Sequence, residues 1–235
     1  MLKIEDKLRS LSRLAMVDVG CGDGRYSVEI CRRLGQKVSL HCVDTNQEML
    51  NNLNSFFSAS NVTNYQTHQA SAEELPFADA SIDRGLTMNA IHHFIVSEFL
   101  NEVSRILTED AFLFIYTRFR SQNKKNIWGR YFPLFNEKET RLFELNELEA
   151  QVDENPNLTL QSSVVFGYDR SADIDEVIYQ AENHHYSTFY LYEKDEFERS
   201  VSEFRDALTS NFGDNGKAKW TDENSLLTIK KESRA

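Results

Sequence analysis

A glycine-rich turn near the start of the chain is the segment best suited to bind a cofactor. Gly20, Gly22 and Gly24 alternate with Cys21 and Asp23 in a G-x-G-x-G spacing, directly after an apolar run. Glycine lets a backbone turn sharply and approach a ligand closely, because it has no Cβ atom. The N–H groups at the start of a following helix favour a carboxylate or a phosphate. The turn therefore predicts a site that binds its ligand through the main chain.

Two acidic residues accompany this turn. Asp18 stands two residues before the first glycine, and Asp44 stands twenty residues after the last one, at the end of the next apolar run. A carboxylate at the end of a second strand can accept both hydroxyls of a ribose. The turn and Asp44 together predict a nucleoside-containing cofactor at the carboxyl ends of parallel strands. The dinucleotide spacing G-x-G-x-x-G is not met, because Arg25 occupies the third glycine position.

Histidine and tyrosine side chains are the candidates for a general base. His92 follows the predicted fourth strand, at the sheet edge where a substrate would meet the cofactor. His184, His185 and Tyr186 lie in an aromatic segment that could form an acceptor pocket, with one of the three as base, or could simply pack a lid. Adjacent helical side chains point about 100° apart, so no metal site is expected from the histidine pair.

The elements that must position these residues follow from hydrophobic periodicity. Short apolar runs alternate with helical patterns through the first half, which is typical of βαβ units and a parallel sheet. Strands are predicted over 14–19, 38–43, 62–67, 81–88, 111–116, 158–166 and 225–230. Helices are predicted over 25–34, 47–57, 96–107, 137–152 and 193–211. The roughly 55 residues between the last two strands are mostly helical in pattern and too long for a hairpin loop, which predicts a cap.

Composition limits the class of protein. The 235 residues exceed the ~150 of a typical domain, which favours one domain with an appended cap. The net charge of −11 disfavours nucleic acid and anionic membranes as partners. No run reaches the ~18 apolar residues of a membrane span, and the N-terminus has no signal-peptide core. Cys21, Cys31 and Cys42 form no C-x-x-C pair, so we expect reduced thiols and a cytoplasmic protein.

A basic segment stands out against this acidic background. It contains Arg118, Arg120, Lys124, Lys125 and Arg130. The segment could bind an anionic part of a substrate, or it could be a solvated loop.

Four motifs in order resemble a known family. The glycine turn with Asp18 ahead of it resembles motif I of the class I S-adenosylmethionine-dependent methyltransferases. The segment A-S-A-E-E-L-P-F at 70–77, the aspartates at 79–83 and N-A-I-H-H-F at 89–94 follow it. They resemble the D-A-E-x-L-P-F, S-x-D and H-H series of the ubiquinone/menaquinone and biotin-pathway methyltransferase group. The resemblance covers about residues 14–117.

The resemblance implies how the glycine turn would hold the cofactor, S-adenosyl-L-methionine. Gly20, Cys21 and Gly22 would face its methionine part through the main chain, and Gly24 completes the turn. Asp18 would help to hold the amino group, directly or through water.

The remaining implied contacts lie on the nucleoside side and beyond the fourth strand. Asp44 would accept the ribose hydroxyls, with Thr45 and Met49 beside the sugar and adenine. Asn89 would contact the methionine part.

One implied adenine contact departs from the family pattern. Ser71 stands where the family usually has Asp, and Ala72 follows it. The serine hydroxyl can still accept from the exocyclic amine, but that contact lacks charge assistance.

The expected fold is an α/β, Rossmann-like three-layer sandwich. Its seven-stranded sheet would be mostly parallel, with an antiparallel last strand and a helical cap between the last two strands. We expect a single methyltransferase domain over 1–235, with a cofactor-binding half at 1–117, a substrate-side insert at 118–137 and a cap at about 170–223.

The expected function is methyl transfer from S-adenosylmethionine to O, N, C or S of a small molecule, leaving S-adenosylhomocysteine. The protein would be a monomer or homodimer and would hold no metal. Two alternatives stay open. A tRNA-modifying methyltransferase would need the basic segment to be an RNA footprint. A non-catalytic S-adenosylmethionine-binding protein would need no acceptor cavity.

Overall fold

The computed structural model, which describes residues 14–213 and 216–233, contains a seven-stranded sheet with strand order β3-β2-β1-β4-β5-β7-β6. The strands are β1 (Leu14–Val19), β2 (Val38–Asp44), β3 (Tyr65–Gln69), β4 (Ile82–Met88), β5 (Leu107–Thr117), β6 (Leu158–Asp173) and β7 (Lys217–Lys231). The pairs among β1 to β5 are parallel, and β7 runs antiparallel to β5. The predicted α/β class and the antiparallel last strand are confirmed.

Nine α-helices connect the strands within the described residues. They are α1 (Arg25–Leu34), α2 (Gln47–Ala59), α3 (Val96–Ile106), α4 (Arg120–Asn123), α5 (Ile127–Tyr131), α6 (Phe135–Lys138), α7 (Leu145–Asp153), α8 (Ile174–Glu182) and α9 (Lys194–Phe212). The last two helices lie between β6 and β7 in the chain, as predicted for the helical segment.

The chain divides into two compact units. The first contains the described residues up to Thr117, the segment Leu145–Val164 and the described residues from Ser225 onward. The second contains Arg118–Glu144 and the described residues of Val165–Asn224. The prediction of a single domain with its three parts stays a prediction.

The central strands β1 and β4 of the first unit are mostly buried. In β1 the residues from Met16 to Val19 are all buried, although only three of the four are apolar. Such continuous apolar runs are typical of parallel strands covered on both sides. Asn46 begins α2 by accepting the N–H groups of Glu48 and Met49 with its side chain, so the helix start is fixed at the end of β2.

The second unit has an aromatic core. The indole of Trp128 is 1% exposed and packs against Phe189 and Phe204, with ring centroids 5.5 and 5.3 Å apart. Phe132 contacts the same two rings. Aromatic pairs at such distances add stability beyond their buried area. Much of the aromatic segment that could have lined an acceptor pocket therefore packs a core, although Tyr179 and Tyr190 stay exposed.

The predicted helix at 137–152 is confirmed only in its second half, because the predicted range is interrupted. Helix α6 ends at Lys138 and α7 begins at Leu145, and no helix joins them. The reason is a distant contact, because the Arg120 guanidinium donates to the carbonyl of Leu142 at 3.0 and 3.2 Å. The Arg120 N–H also donates to the carbonyl of Phe143. These carbonyls are satisfied without a helical ladder, which composition alone cannot reveal.

Other differences concern element ends. The third strand is Tyr65–Gln69 instead of 62–67, and β5 begins at Leu107, directly after α3. The largest difference is in β6 and β7, which reach Asp173 and start at Lys217. Residues at both ends of the predicted cap are therefore in strands.

Candidate functional site

A cavity of about 450 Å³ opens in the first unit at the carboxyl ends of β1, β2 and β4. The glycine turn after β1, the end of β2, the segment after β3 and the segment after β4 line it. Of the predicted cofactor-binding residues, it brings together Gly20, Cys21, Gly22, Asp44, Thr45, Met49, Ala72 and Asn89. Asp18, Gly24 and Ser71 do not line this cavity. Clefts of this size hold small molecules and cofactors.

The turn is tied to the neighbouring strand by main-chain hydrogen bonds. The N–H groups of Gly20 and Cys21 both donate to the carbonyl of Val43, at 2.8 and 3.0 Å. A Cβ atom on Gly20, which has a φ of 73°, would lie 2.5 Å from the Cβ of Ala90. Glycine is therefore required here by both backbone conformation and space, and the backbone itself forms the cavity wall.

Asp44 is held in place as an acceptor. Its Oδ2 accepts the N–H of Gly22 and its Oδ1 accepts the N–H of Asn46, each at 2.9 Å. A carboxylate offers about four lone-pair positions, so each oxygen keeps one further acceptor position. Because the side chain lines the cavity, these positions suit a pair of adjacent hydroxyl groups.

Asp18 lies behind the cavity wall in β1 and is 1% exposed. The hydroxyl of Ser27 donates to its Oδ2, whereas its Oδ1 has no hydrogen-bond partner in the described part of the chain. Burial raises the pKa of this carboxyl to about 7; the Ser27 hydrogen bond opposes the rise and the charge of Asp44 adds to it. A buried oxygen with no donor is unfavourable, and a donor from a ligand or a water would relieve it.

Cys21 lines the cavity, but it is poorly suited to act as a nucleophile. A hydrogen bond with Cys42 raises the pKa of the Cys21 thiol, and burial and the charges of Asp18 and Asp44 raise it further. The neutral thiol is a weak nucleophile and a weak metal ligand. Among the described residues, no group of three His, Cys, Asp or Glu side chains could hold a metal ion.

Asn89 closes the cavity beyond β4 in an unusual backbone conformation. Its φ is 55°, a left-handed value that asparagine tolerates better than most residues. Its N–H donates to the carbonyl of Tyr116 at 2.7 Å, and its Nδ2 donates to the hydroxyl of Tyr26 at 3.1 Å. The strained position turns the chain from the strand into the cavity wall, as strained residues at functional sites often do.

The segment after β3 contributes Ala72 and Glu73 to the lining. The Oε1 of Glu73 accepts the N–H of Ile95 at 2.8 Å, which ties this segment to the residues just before α3. Glu73 belongs to the 70–77 motif, but the sequence alone does not identify it as a site residue. Further lining residues that the sequence alone does not identify are Val19, Asp23, Arg25, Tyr26, Ala70, Met88, Ala90, His93 and Phe94.

The candidate general bases are placed in both units. In the first unit, His93 lines the cavity, while His92 does not; the two rings contact each other in a tilted arrangement, with centroids 4.1 Å apart. In the second unit, His184 stacks on Phe197, with ring centroids 4.6 Å apart, and its ring is tilted against that of Tyr190 at 4.7 Å. Also in that unit, Tyr186 packs on Trp128 and under the guanidinium of Arg118. His185 packs edge-on against Tyr186. The catalytic roles of His92, His184, His185 and Tyr186 stay predictions.

Comparisons with known sequences match the first unit to a family and to two curated proteins. Residues 16–110 match the family model described as a methyltransferase domain. The uncharacterized methyltransferase YcgJ of Bacillus subtilis is 32% identical over 97 residues, which are 41% of this chain and 37% of YcgJ. The uncharacterized protein MJ1252 of Methanocaldococcus jannaschii is 30% identical over 103 residues, 43% of this chain and 36% of that protein. The chain thus spans just over a third of the length of these curated relatives.

Comparisons with solved structures concern the fold. The crystal structure of Bacillus YcgJ matches with a TM-score of 0.68 and 19% identity, over 99% of this chain and 97% of that one. The geranyl diphosphate C-methyltransferase of Streptomyces coelicolor, solved with S-adenosyl-L-homocysteine, matches with a TM-score of 0.60 and 14% identity, over 98% and 74%. The fold is shared with these enzymes.

No helix among the described residues is long and apolar enough to cross a membrane.

Proposed function

We propose that this chain, whose residues 16–110 match a methyltransferase-domain model, is a class I S-adenosylmethionine-dependent methyltransferase that transfers the methyl group of that cofactor to a small-molecule acceptor. The narrower resemblance to the ubiquinone/menaquinone and biotin-pathway group stays a prediction. A cytoplasmic location and a monomeric or homodimeric state stay predictions as well.

The observation that carries the proposal is the fixed carboxylate of Asp44 at the mouth of a glycine-walled cavity. Two backbone N–H groups orient it, and one acceptor position on each oxygen is left for the ribose hydroxyls. The unpartnered Oδ1 of Asp18 fits a second polar contact, to the cofactor's amino group through a water or a small adjustment. The residues present therefore fit this cofactor.

The cofactor supplies a methyl group on a positively charged sulfur, which is already activated for in-line displacement. The residues of the chain must therefore hold the cofactor, align it with the acceptor and exclude water from the site. Gly20 and Cys21 would bring main chain close to the methionine part, while Asp44, Thr45 and Met49 would fix the nucleoside. Asp44 also places negative charge near a cationic donor, which favours binding.

The acceptor side is a proposal based on charge. A small, partly apolar acceptor fits a chain of net charge −11 better than a nucleic acid does. A base is needed only for an acceptor that must lose a proton before or during transfer, such as a hydroxyl or an acidic carbon. His93 is the histidine that lines the cavity, so we propose it beside His92 as a candidate for that role.

The first test is titration calorimetry with S-adenosylmethionine and S-adenosylhomocysteine on the wild type, on Asp44→Ala and on Asp206→Ala. Asp206 is an exposed carboxylate in α9, so its removal changes the net charge equally. We expect Asp44→Ala to weaken binding about tenfold or more, because it removes charge-assisted hydrogen bonds, and Asp206→Ala to leave it unchanged. Circular dichroism checks the fold, and Asp44→Asn replaces the alanine variant if that one is unfolded.

Binding by the wild type justifies incubation of the cofactor-loaded protein with panels of alcohols, amines, thiols and acidic carbon compounds. Release of S-adenosylhomocysteine, measured by mass spectrometry, identifies the acceptor class. Absence of binding to either nucleoside would contradict the proposal. Equal weakening by both alanine variants would contradict the role of Asp44.

A further inference from the structure

The second unit contains its own cavity, of about 690 Å³. Residues near the start of the unit and the outer parts of β6 and β7 line it. The lining side chains are Lys125, Arg130, Asp169, Arg170, Ser171, Lys219, Trp220, Thr221 and Glu223. Its volume is within the range of small-molecule sites.

The charge of this cavity is opposite to that of the chain. Four cationic side chains and two carboxylates line it, which leaves two positive charges in excess, whereas the whole chain has a net charge of −11. Concentration of one sign of charge in a concave site raises the local concentration of a ligand of opposite sign. The excess therefore points to an anion.

Two of the four cations are held in place by acidic neighbours. Lys125 pairs with Glu223 at 2.8 Å, and Arg170 pairs with the Oδ2 of Asp222 at 3.3 Å. Asp222 is 8% exposed, and its Oδ1 accepts from Arg118 at 3.2 Å, so a second guanidinium behind it balances its charge. These contacts restrict where the Lys125 and Arg170 head groups lie.

The other two cations have no such partner. Arg130 and Lys219 form no ion pair with any residue in the described ranges. The nearby carboxylate of Asp169 instead accepts the hydroxyl of Thr221 at 3.0 Å. One guanidinium and one ammonium are thus available to a ligand, and guanidinium and ammonium groups form short, strong hydrogen bonds with phosphate oxygens.

We propose that this cavity binds the phosphoryl group of a small molecule. A phosphate monoester carries a charge of about −1.5 to −2 near neutral pH, which matches the excess of two positive charges. Trp220 offers an apolar face to the rest of such a ligand. Carboxylates share the anionic chemistry, so a comparison of pyrophosphate with citrate, which has three carboxylates, distinguishes phosphoryl recognition from a general attraction of anions. The proposal goes beyond methyl transfer and does not depend on it.

The test is titration calorimetry of the full chain, without cofactor, using pyrophosphate, inorganic phosphate and citrate as probes. The variant is the double change Arg130→Gln and Lys219→Gln. The matched control is Lys37→Gln and Arg199→Gln, an exposed lysine and an exposed arginine outside the cavity, with the same change in net charge. We expect saturable binding of pyrophosphate by the wild type and the control. The cavity variant should bind about tenfold more weakly or worse, because it loses two charge-assisted contacts.

Three results would overturn the proposal. The first is no saturable binding of either phosphate probe by the wild type. The second is equal weakening in both double variants, which would show a non-specific charge effect. The third is tighter binding of citrate than of pyrophosphate, which would assign the cavity to carboxylates. None of these results bears on binding of S-adenosylmethionine to the first unit, so failure here and failure of the proposed function are distinguishable.

Discussion

The replacement Asp18→Asn should change how the stability of the protein depends on pH. Asp18 is 1% exposed, and burial raises the pKa of its carboxyl from 3.8 to about 7. In the unfolded chain the group ionises near 3.8, but in the fold it resists ionisation. The folded state therefore binds the proton more tightly than the unfolded state. This contribution favours the fold at low pH and is lost as the pH rises towards and through 7.

The size of the effect follows from the pKa difference. The rise from 3.8 to about 7 corresponds to about 4 kcal/mol of free energy of unfolding once both states are ionised, at about 1.4 kcal/mol per pKa unit. Between about pH 5 and about pH 8 the wild type should lose roughly 2–3 kcal/mol through this group. Asparagine has nearly the same shape and can still accept from Ser27, but it does not ionise.

The assay is urea unfolding of the wild type, Asp18→Asn and Asp206→Asn at these two pH values. The free energy of unfolding of Asp18→Asn minus that of the wild type should increase by roughly 2–3 kcal/mol from the lower to the higher pH. Other titrating groups cancel in this difference, because all three proteins share them. The exposed control Asp206→Asn should show no such growth. A constant difference between Asp18→Asn and the wild type would refute the argument that Asp18 is buried without adequate partners.

Two further predictions concern packing. In Gly24→Ala the new Cβ would lie 2.7 Å from Leu53 and 2.8 Å from Phe57, at a φ of 78°. Urea unfolding should therefore show a free energy of unfolding lower by about 1–3 kcal/mol because of overpacking, in addition to the cost of the left-handed backbone conformation. The control Gly22→Ala has a positive φ but open space around its Cβ, and an equal loss in both variants would contradict the packing argument. Trp128→Ala should lower the free energy of unfolding by about 3–5 kcal/mol in the same assay, because it leaves a cavity in the aromatic core. Tyr179 is exposed, so Tyr179→Ala should leave the free energy of unfolding almost unchanged. Similar losses in both would show that Trp128 is not a core residue.

The first unit could be predicted well because its signals are local. The strand Leu14–Val19 and the helix Arg25–Leu34 have the predicted ends, since a buried strand, a glycine turn and an amphipathic helix each leave a short pattern in the sequence. The predicted cofactor-binding residues include eight of the eighteen that line the cavity. The sequence could not show that Asp18 lies behind the cavity wall, or that His93 lines the cavity while His92 does not. Both outcomes depend on the directions of side chains at the end of a strand and in the segment that follows it.

The second unit was harder to predict because distant contacts decide its structure. The interruption between α6 and α7 depends on Arg120, which lies twenty-two residues from the carbonyl it binds. The basic segment that contains Arg120 was also read as one feature, but its members differ. Arg118 and Arg120 bind groups of the protein itself and Lys125 pairs with Glu223, whereas Arg130 lines a cavity without an ion pair in the described part of the chain. Charge in a sequence shows how many cations there are, and only the fold shows which are already used.

Asp18 connects stability with the proposed function. Its unpartnered oxygen and raised pKa make the position unfavourable for the unliganded fold, and a well-packed neutral side chain would stabilise the chain more. A donor brought by a ligand or an ordered water would satisfy that oxygen, favour its ionised form and offset the burial penalty only in the bound state. The burial penalty of Asp18 is thus smaller in the bound state than in the free state. This relief contributes to affinity, because it occurs only when the ligand is bound. A stabilising replacement at this position should therefore weaken binding, which is the opposition between stability and activity expected at functional sites.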